Sequence, residues 1–302
     1  MITILLEVVL PAFIVVASGL LLSRAFTIDL ASLNRVALYA TVPALVFSSL
    51  SNSDVSFGNV GVLLGANALF LVGMGVIAWL VALPFERATM RGLVATSMFG
   101  NAANIMLPVT LFAFGDEGLQ RALVLYVFSA VALFTLGPLV LGSRNGASRR
   151  RFLASVLRLP VLWAALLGVA VNLFDWSVPL SLERGVSLLG SAAIPIVLIT
   201  LGLQIQRTGL RAPSQANLLG AGLKLLIGPL VGFSAGWLLG ARDLDLAVLT
   251  LLAAMPPAVN TFMLALEFGA DGEEVARTVI LSTFLAIGSL TGVLALLQAF
   301  VL

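Results

Sequence analysis

The sequence predicts an all-α integral membrane protein with about ten transmembrane helices. Hydrophobic residues make up 60% of its 302 residues, charged residues make up 10%, and the mean hydropathy is +1.13. An ordinary soluble domain is only about 45–50% apolar. The apolar segments are long and lack the alternation of a barrel wall. Backbone groups in lipid must then be paired within helices.

Ten apolar segments are candidates to cross the membrane, since a hydrocarbon core of about 30 Å needs about 20 apolar residues. The first stretch, MITILLEVVLPAFIVVASGLLLS, has no basic leader and no small-residue cleavage site, so we expect a retained helix. The second and sixth candidates are short. The predicted spans are residues 4–22, 36–50, 60–83, 92–114, 122–142, 159–174, 185–205, 217–239, 246–266 and 278–300.

The arginines indicate the orientation of these spans. The loops after the odd-numbered spans, with their flanks, hold twelve arginines, whereas the opposite side holds Arg121, Arg184 and Arg242. Because basic residues concentrate on the cytoplasmic side, we expect both termini outside, in a bacterial inner (cell) membrane. The twelve are Arg24, Arg35, Arg87, Arg91, Arg144, Arg149, Arg150, Arg151, Arg158, Arg207, Arg211 and Arg277.

The composition also excludes several kinds of chemistry. The chain contains no cysteine and no histidine, so disulfides, thiolate metal sites and the usual neutral-pH proton carrier are excluded. A net charge of +2 provides no basic surface for nucleic acid. We expect neither a metal nor a cofactor. The sequence has no pair of acidic residues at the membrane midplane and no nucleotide-binding loop, so neither feature indicates an enzyme.

The sequence indicates an internal duplication. LLGANALFLVG and LLGAGLKLLIG share six of eleven positions, and three pairs of segments agree on an offset of 152 to 155 residues. Five spans per half is an odd number, so the second half enters the membrane from the opposite side. We predict a five-helix repeat at 1–142, a cytoplasmic basic linker at 143–156 and an inverted five-helix repeat at 157–302. Chance similarity between Leu-rich and Gly-rich segments is the alternative. The paired segments are 63–73 with 218–228, 40–46 with 192–198, and 114–122 with 268–276.

The motif GNAANIMLPV, residues 100–109, introduces polar groups into the middle of the fourth span. Asn101 and Asn104 precede Pro108, which removes one helical hydrogen bond and clashes with the preceding turn. We therefore predict that the helix breaks or kinks at the proline. An ordinary proline kink is the alternative.

The ninth span contains a matching motif, AMPPAVNTF. Pro256 and Pro257 are adjacent, and Asn260 and Thr261 follow. Two broken helices at equal depth can cross, and their freed amides, carbonyls and N-termini would then face a polar cavity. Such ends attract anions, which predicts a substrate site at the two crossovers. The predicted substrate-binding residues are Asn101, Asn104, Pro108, Lys224, Pro256, Asn260 and Thr261.

Lys224 is the only lysine and lies seven residues into its span, about 10 Å below the edge. A charge at such depth costs on the order of 2.5–3.5 kcal/mol. Glycines at four-residue spacing form a ridge suited to close helix packing, so we expect the ammonium to point into protein; snorkelling is the alternative. Lys224 could compensate a substrate carboxylate, pair with an acid or replace a coupling cation. These glycines are Gly220, Gly228, Gly232, Gly236 and Gly240.

Three segments resemble the auxin efflux carrier family of bacterial and plant transporters: FGNAANIMLPVTLFAFGDEGL, AAIPIVLITLGLQI and AAMPPAVNTFMLALEFGADGEEVARTVILST. The resemblance covers essentially the whole chain. It implies crossover helices at the fourth and ninth spans with substrate beside them. Asn101 and Pro108 keep the spacing of the family's first crossover, and Pro256 and Glu267 match landmarks of its ninth helix.

The resemblance also implies a substrate class and a coupling site. Plant members have a proline where this chain has Thr261, and they carry a long cytoplasmic loop that is short here. The bacterial branch is associated with malate and malonate, so small carboxylates rather than auxin are implied. The bile-acid/sodium symporters share the broken-helix plan and are similar around a sodium site where Glu267 falls. Glu267 and Lys224 are the predicted coupling-ion or proton residues.

These features favour a secondary active transporter that moves small organic anions by alternating access around crossed, broken helices. A sodium/proton antiporter or a sodium-coupled bile-acid-type symporter is the alternative, although no aspartate lies within any predicted span. A membrane enzyme or receptor is a third hypothesis, and the chain has no large extramembrane domain to support it. The sequence leaves open whether a proton or sodium is coupled, and whether the protein forms a homodimer.

Overall fold

A computed structural model of the chain describes residues 1–53, 57–142, 156–208 and 212–301. In this part the chain is helical, apart from turns and one isolated pair of bridged residues. The predicted linker at 143–156 lies outside the described residues except for Val156. The helices are α1 (Ile2–Ala25), α2 (Leu30–Ser51), α3 (Phe57–Ala82), α4 (Arg87–Met98), α5 (Ala102–Leu141), α6 (Pro160–Leu173), α7 (Leu180–Ser191), α8 (Ala193–Thr208), α9 (Gln215–Leu238), α10 (Asp243–Ala254), α11 (Asn260–Phe268) and α12 (Gly272–Phe300).

The all-α prediction is confirmed. Within the described part, seven helical segments are long and apolar enough to cross a membrane: α1, α2, α3, α5, α7 with α8, α9 and α12. α6 is apolar but has 14 residues. The predicted fourth and ninth spans are not among the seven as unbroken helices, because each is interrupted near its middle.

The connection between the predicted fourth and fifth spans is shorter than expected. The sequence suggested spans at 92–114 and 122–142, whereas helical geometry in α5 is broken only at Gly115. Its backbone has φ 64° and ψ −160°, a region that is essentially restricted to glycine. A single glycine therefore replaces the expected seven-residue loop.

Wide turns of π-helix precede four prolines. A proline has no N–H and its ring clashes with the carbonyl four residues earlier, so the turn before it widens, and such π-bulges are frequent at functional sites. One of these turns contains Lys224. The four turns are Leu5–Val9 before Pro11, Ala37–Thr41 before Pro43, Ala102–Met106 before Pro108 and Leu223–Ile227 before Pro229.

The helices form two bundles. The first bundle comprises α1, α2, α6, α7 and α8, with its most extensive contacts between α1 and α8 and between α2 and α6. A Cβ on Gly19 would lie 2.3 Å from the Ile199 carbonyl oxygen, and one on Gly202 would lie 2.1 Å from that of Val16. The backbones of α1 and α8 therefore approach at a distance that only glycine permits.

The second bundle comprises α3, α4, α5 and α9 to α12. The predicted glycine ridge of α9 does pack closely: a Cβ on Gly228 would lie 2.6 Å from the Ala253 carbonyl oxygen, and one on Gly236 would lie 2.7 Å from Leu246 Cδ1. Gly240 is an exception, because it lies beyond the end of α9 with a left-handed φ of 88° and no close neighbour. The close contacts at Gly228 and Gly236 hold α9 against α10.

The contacts between the two bundles are made mainly by α5 and α12 of the second bundle against α1 and α8 of the first. α3 and α9 instead pack against each other and against α4 and α10, and α9 also packs against α12. The second bundle therefore has one side that meets the first bundle and another side formed by α3 and α9. α4 and α10, which end at the two helix interruptions, contact α3 and α9, whereas α5, which follows the first interruption, also contacts the first bundle.

Candidate functional site

The first helix interruption lies between α4 and α5. Phe99 and Asn101 leave the helical region, with φ/ψ of −97°/110° and −76°/75°. Asn101 then caps α5, because its Oδ1 accepts a hydrogen bond of 3.0 Å from the Asn104 N–H. Asparagine is among the best N-cap residues. The sequence GNAAN therefore both ends α4 and starts α5.

The break is real but is not at the proline. Pro108 lies in helical structure, one π-helical turn after the interruption. The prediction that the helix breaks at Pro108 is therefore wrong in position. The backbone departs from the helix at Phe99 to Asn101, where its groups find partners on another segment, while the proline only widens the following turn.

The second interruption lies between α10 and α11. α10 ends at Ala254, and Met255 is extended, with φ −63° and ψ 143°. A residue before a proline avoids helical geometry, and neither Pro256 nor Pro257 can donate a backbone hydrogen bond. The helix starts again only at Asn260. The predicted break in the ninth span is present at the double proline.

The two interruptions pair with each other. The Asn101 N–H donates to the Pro256 carbonyl at 2.8 Å, and the Ala258 N–H donates to the Phe99 carbonyl at 2.9 Å. Gly100 and Pro257 thereby form an antiparallel bridge. We call this contact, residues 99–101 with 255–258, the crossing. It satisfies backbone groups that would otherwise lack partners in a membrane.

This pairing corrects one expectation about the freed backbone amides. Those of Asn101 and Ala258 are bonded across the crossing rather than left for a ligand. The buried side-chain atoms that have no hydrogen-bond partner in the described part include Asn101 Nδ2, Thr261 Oγ1 and Lys224 Nζ. All three residues are buried, with exposed fractions of at most 3%. These three side chains can therefore offer polar groups to a ligand.

Lys224 lies beside the crossing and is completely buried, so the expectation that its ammonium points into protein is confirmed. Nζ has no hydrogen-bond partner among the described residues and lies 4.9 Å from the centre of the Phe70 ring on α3. It is also 3.3 Å from the position that a Cβ on Gly100 would occupy. Lys224 is the one charged side chain among the buried residues of the described chain. The crossing therefore contains a positive charge with no acidic partner at hand.

The remaining predicted site residues differ in their surroundings. Pro108 and Thr261 are buried, and Asn104 is half-buried. Asn260 and Glu267 are exposed. Glu267 follows Thr261 by six residues, about 9 Å along the helix. The fold thus brings Asn101, Pro256 and Lys224 together around the crossing and leaves Glu267 at the far end of α11.

Helix dipoles add to the electrostatics of the crossing. α4 and α10 end there, and α5 and α11 begin there. A helix end carries roughly half an elementary charge, negative at the C-terminus and positive at the N-terminus. Two ends of each sign approximately balance. The ammonium of Lys224 then gives the crossing a net positive charge, which favours anions.

A cavity of about 840 Å³ lies between the bundles, lined by α2, α5, α7 and residues 176–178. Its lining includes the buried Leu45 and the exposed Asn52, Asp116 and Glu183. The predicted site residues do not line it in the described chain. We call this cavity the vestibule. It lies on the side of the molecule where α2 ends and α7 begins.

Sequence reasoning missed several residues of this region. Phe70 and Gly100 both border the Lys224 ammonium, and Asn217 binds Glu274 and Thr278, tying α9 to α12. The amide of Asn217 at the start of a predicted span was an available signal. No sequence signal marks Phe70, since it is one of many aromatic residues in apolar spans.

A helical bundle with two broken members, paired at mid-length beside a buried positive charge, defines a multi-pass membrane transport protein. Comparison with known proteins agrees. The chain belongs to the membrane transport protein family that includes the auxin efflux carriers, and the family model matches residues 4–294. The family resemblance noted in the sequence is confirmed. The chain is a transporter and not an enzyme.

Two of three relatives match most of the chain, and a plant relative matches less than half of it. It is 32% identical to an uncharacterized transporter of Methanothermobacter thermautotrophicus, over 94% of this chain and 95% of that protein. It is 26% identical to a Rhizobium meliloti protein described as a candidate malonate transporter, over 88% and 87% of the two chains. It is 28% identical to auxin efflux carrier component 3a of Oryza sativa, over 44% of this chain and 22% of that protein.

Proposed function

We propose that this chain is a secondary active transporter that moves small organic carboxylate anions across the cytoplasmic membrane by alternating access. The observation that carries the proposal is the crossing itself: two helix interruptions paired by backbone hydrogen bonds beside the fully buried Lys224 ammonium. Discontinuous helices near the bilayer midplane commonly form the substrate sites of transporters. A net positive charge selects negatively charged substrates.

The proposed architecture is ten membrane spans in two inverted repeats, residues 1–142 and 157–302, with both termini outside. In each half the fourth helix is interrupted, as α4 with α5 and as α10 with α11. The two interruptions pair in antiparallel fashion, which is what an inverted relationship requires of equivalent segments. The distribution of arginines supports the orientation.

Alternating access would involve a movement of one bundle against the other. The two bundles meet mainly through α5 and α12 against α1 and α8, and the vestibule lies between α2, α5 and α7. With the termini outside, this vestibule opens outward. Its volume of about 840 Å³ lies within the roughly 300–1,000 Å³ of typical ligand pockets. A movement of the crossing relative to the first bundle would open the opposite side.

Malonate and related small dicarboxylates are the proposed substrates. The support is the unpaired positive charge at the crossing and the similarity to the Rhizobium meliloti protein described as a candidate malonate transporter. Asn101 Nδ2 and Thr261 Oγ1 are buried polar atoms without partners in the described part. They can supply hydrogen bonds to a carboxylate.

Uptake by purified protein in liposomes tests this function. Labelled malonate and malate should accumulate under an imposed proton or sodium gradient, and unlabelled carboxylates should compete. Flux of sodium against protons without carboxylate uptake would instead support an antiporter. Absence of any flux would reject transport by this protein under these gradients.

Asn101→Asp is the sharpest variant for the site. Aspartate caps helices as well as asparagine does, so α5 should start normally, but an anionic oxygen replaces Nδ2 and repels a carboxylate. We expect malonate uptake to fall by at least about tenfold, the loss expected when about 1.4 kcal/mol of interaction is removed, with little change in thermal stability. Asn34→Ala, an exposed amide near the start of α2, is the control. Normal uptake by the Asn101→Asp protein would contradict the site.

A further inference from the structure

We propose that a groove on the second bundle holds an acyl chain of an anionic phospholipid, whose phosphate pairs with Arg91. The groove lies between α3, α4 and the end of α5 and has a volume of about 360 Å³. We call it the lateral groove; its lining comes from residues 71–79, residues 90–98 and Val140. It shares no lining residue with the vestibule. The proposal goes beyond the proposed function, because it concerns a lipid and not a transported substrate.

The lateral groove opens towards lipid. α3 is one of the helices long and apolar enough to cross a membrane. Its groove side carries Val72, Val76 and Trp79, with exposed fractions of 63%, 53% and 49%. Residues at this spacing lie on one face of a helix. In the proposed membrane arrangement this face meets acyl chains rather than water, so an occupant that enters from it is a lipid and not a water-soluble anion.

Arg91 supplies the charge of the lateral groove. It is half-buried and is the one charged side chain of this lining in the described chain. The ion pairs between described residues are made by Arg121 and Arg277 instead. A Cβ on Gly142 would overlap Arg91 Nη1, so the guanidinium lies against the end of α5. A guanidinium binds phosphate through two parallel hydrogen bonds. Arg91 can therefore hold a phosphate at the edge of an apolar groove.

The two ends of the lateral groove match the layers of a lipid monolayer. α3 and α4 pack against each other and are joined by only four residues, so Trp79 and Arg91 lie near the same edge. Leu71 and Met98 lie deeper. Arg91 precedes Met98 by seven residues, about 10 Å along the helix. Tryptophan and arginine are typical of the membrane interface. A phosphate at Arg91 would thus direct its acyl chain along the groove towards Met98.

The surroundings of Arg91 favour an anionic lipid over a neutral one. In the proposed orientation Arg91 lies on the cytoplasmic side, with most of the other arginines. The cytoplasmic leaflet is rich in anionic lipids, and basic pockets between membrane helices on this side bind their head groups. A zwitterionic lipid carries the same phosphate, but its own cation competes with Arg91 for that phosphate. The proposed occupant is therefore an anionic phospholipid.

Tryptophan quenching by brominated lipids tests the proposal. Trp79 lines the lateral groove, and replacing the other three tryptophans, Trp163, Trp176 and Trp237, by phenylalanine leaves all tryptophan emission at position 79. This parent protein is placed in phosphatidylcholine bilayers with the same low mole fraction of brominated phosphatidylglycerol or brominated phosphatidylcholine. The anionic lipid should bind about fivefold more tightly, which corresponds to about 1 kcal/mol. Equal quenching by the two lipids overturns the proposal.

Three arginine variants of the parent protein locate the charge. Arg91→Gln keeps a polar side chain but loses the charge, so the preference for phosphatidylglycerol should disappear, whereas Arg91→Lys should keep most of it. Arg24→Gln is the control, because it loses the same charge at an exposed position of α1 and should keep the preference. Unchanged quenching by brominated phosphatidylcholine shows that the fold is intact. A preference that survives in Arg91→Gln, or that Arg24→Gln loses equally, overturns the site.

Two further measurements test the acyl chain. Val76→Phe fills part of the lateral groove from its exposed wall, so the preference should fall although Arg91 is present; an unchanged preference would contradict a chain in the groove. Glycerol phosphate, a head group without chains, should not displace brominated phosphatidylglycerol. Displacement would indicate a site for free phosphate and would overturn the lipid proposal. Because no transported substrate is involved, these results are independent of the uptake test.

Discussion

Gly100→Ala is expected to impair transport by displacing the crossing. A Cβ at this position would lie 3.1 Å from the Leu252 carbonyl oxygen, 3.3 Å from Lys224 Nζ and 3.4 Å from Met255 Cβ. Gly100 does not have a left-handed φ, so the effect arises from lack of space and not from backbone strain. Two of the three neighbours belong to the end of α10 and cannot rotate away. The segments must therefore separate by a few tenths of an ångström.

The expected magnitudes follow from this displacement. Overpacking of a well-packed interior typically costs about 1–3 kcal/mol, which lowers the unfolding temperature by a few degrees for each kcal/mol in a chain of roughly this size. At a catalytic centre a misplacement of about 1 Å costs about 100-fold in rate. A shift of a few tenths of an ångström at the crossing should then reduce the uptake rate by about four- to tenfold.

The measurement compares Gly100→Ala with Gly222→Ala. Gly222 lies two residues before Lys224 in α9, and a Cβ there would have no neighbour within 4 Å. This control should keep wild-type uptake and gain up to about 1 kcal/mol from helix propensity. Initial rates of malonate uptake and tryptophan-monitored unfolding are recorded for both proteins. Equal uptake rates and equal unfolding temperatures for Gly100→Ala and Gly222→Ala would show that a side chain at position 100 does not displace the crossing.

Three further changes test the packing of the second bundle. Gly115→Ala places a side chain at φ 64° and ψ −160° and should cost about 1–3 kcal/mol in unfolding free energy, seen as a lower unfolding temperature. Removal of Arg121 and Asp245, whose ion pair of 2.6 Å joins α5 to α10, should give a coupling energy of about 0.5–3 kcal/mol in a double-mutant cycle. Asn217→Ala deletes the amide that donates to the Glu274 carboxylate and carbonyl and should cost about 1–3 kcal/mol.

Each of these changes has its own control. Gly61→Ala, where a Cβ meets open space, controls for Gly115→Ala, and equal unfolding temperatures would argue against strain at the bend. Strict additivity of the Arg121 and Asp245 single variants would show that the ion pair contributes nothing. Asn34→Ala, at an exposed position, controls for Asn217→Ala, and a matching stability would mean that the Asn217 bonds are not needed.

The location of the first helix break shows the limit of local reasoning. The sequence motif indicated an interruption, because asparagines and a proline in an apolar span are locally unfavourable for a helix. The motif predicts the interruption at Pro108, but the backbone leaves the helix at Phe99 to Asn101. That choice depends on hydrogen bonds to Pro256 and Ala258. Residues more than 150 positions away decide it, and a local pattern does not contain them.

For Lys224, the sequence predicts the burial of the side chain but not its neighbours. Its burial was predictable, because a glycine ridge on the same helix requires a close neighbour and a lone charge in lipid is costly. Its position beside the crossing could not be predicted, because the Phe70 ring and the space beside Gly100 come from α3 and from the α4–α5 interruption. Glu267 resembled a family landmark in sequence, yet it is exposed near the end of α11.

The sequence by itself determined that this is an all-helical membrane protein of the auxin efflux carrier type, with two interrupted helices and one intramembrane lysine. These properties depend on hydrophobic length, on residue motifs and on the conformational limits of proline and asparagine, all of which act locally. Only the tertiary structure decided that the interruptions pair with each other and that the lysine ammonium lies beside Gly100 and the Phe70 ring. Those contacts arise from close packing of distant segments, where differences of a few tenths of an ångström select the partner of each polar group.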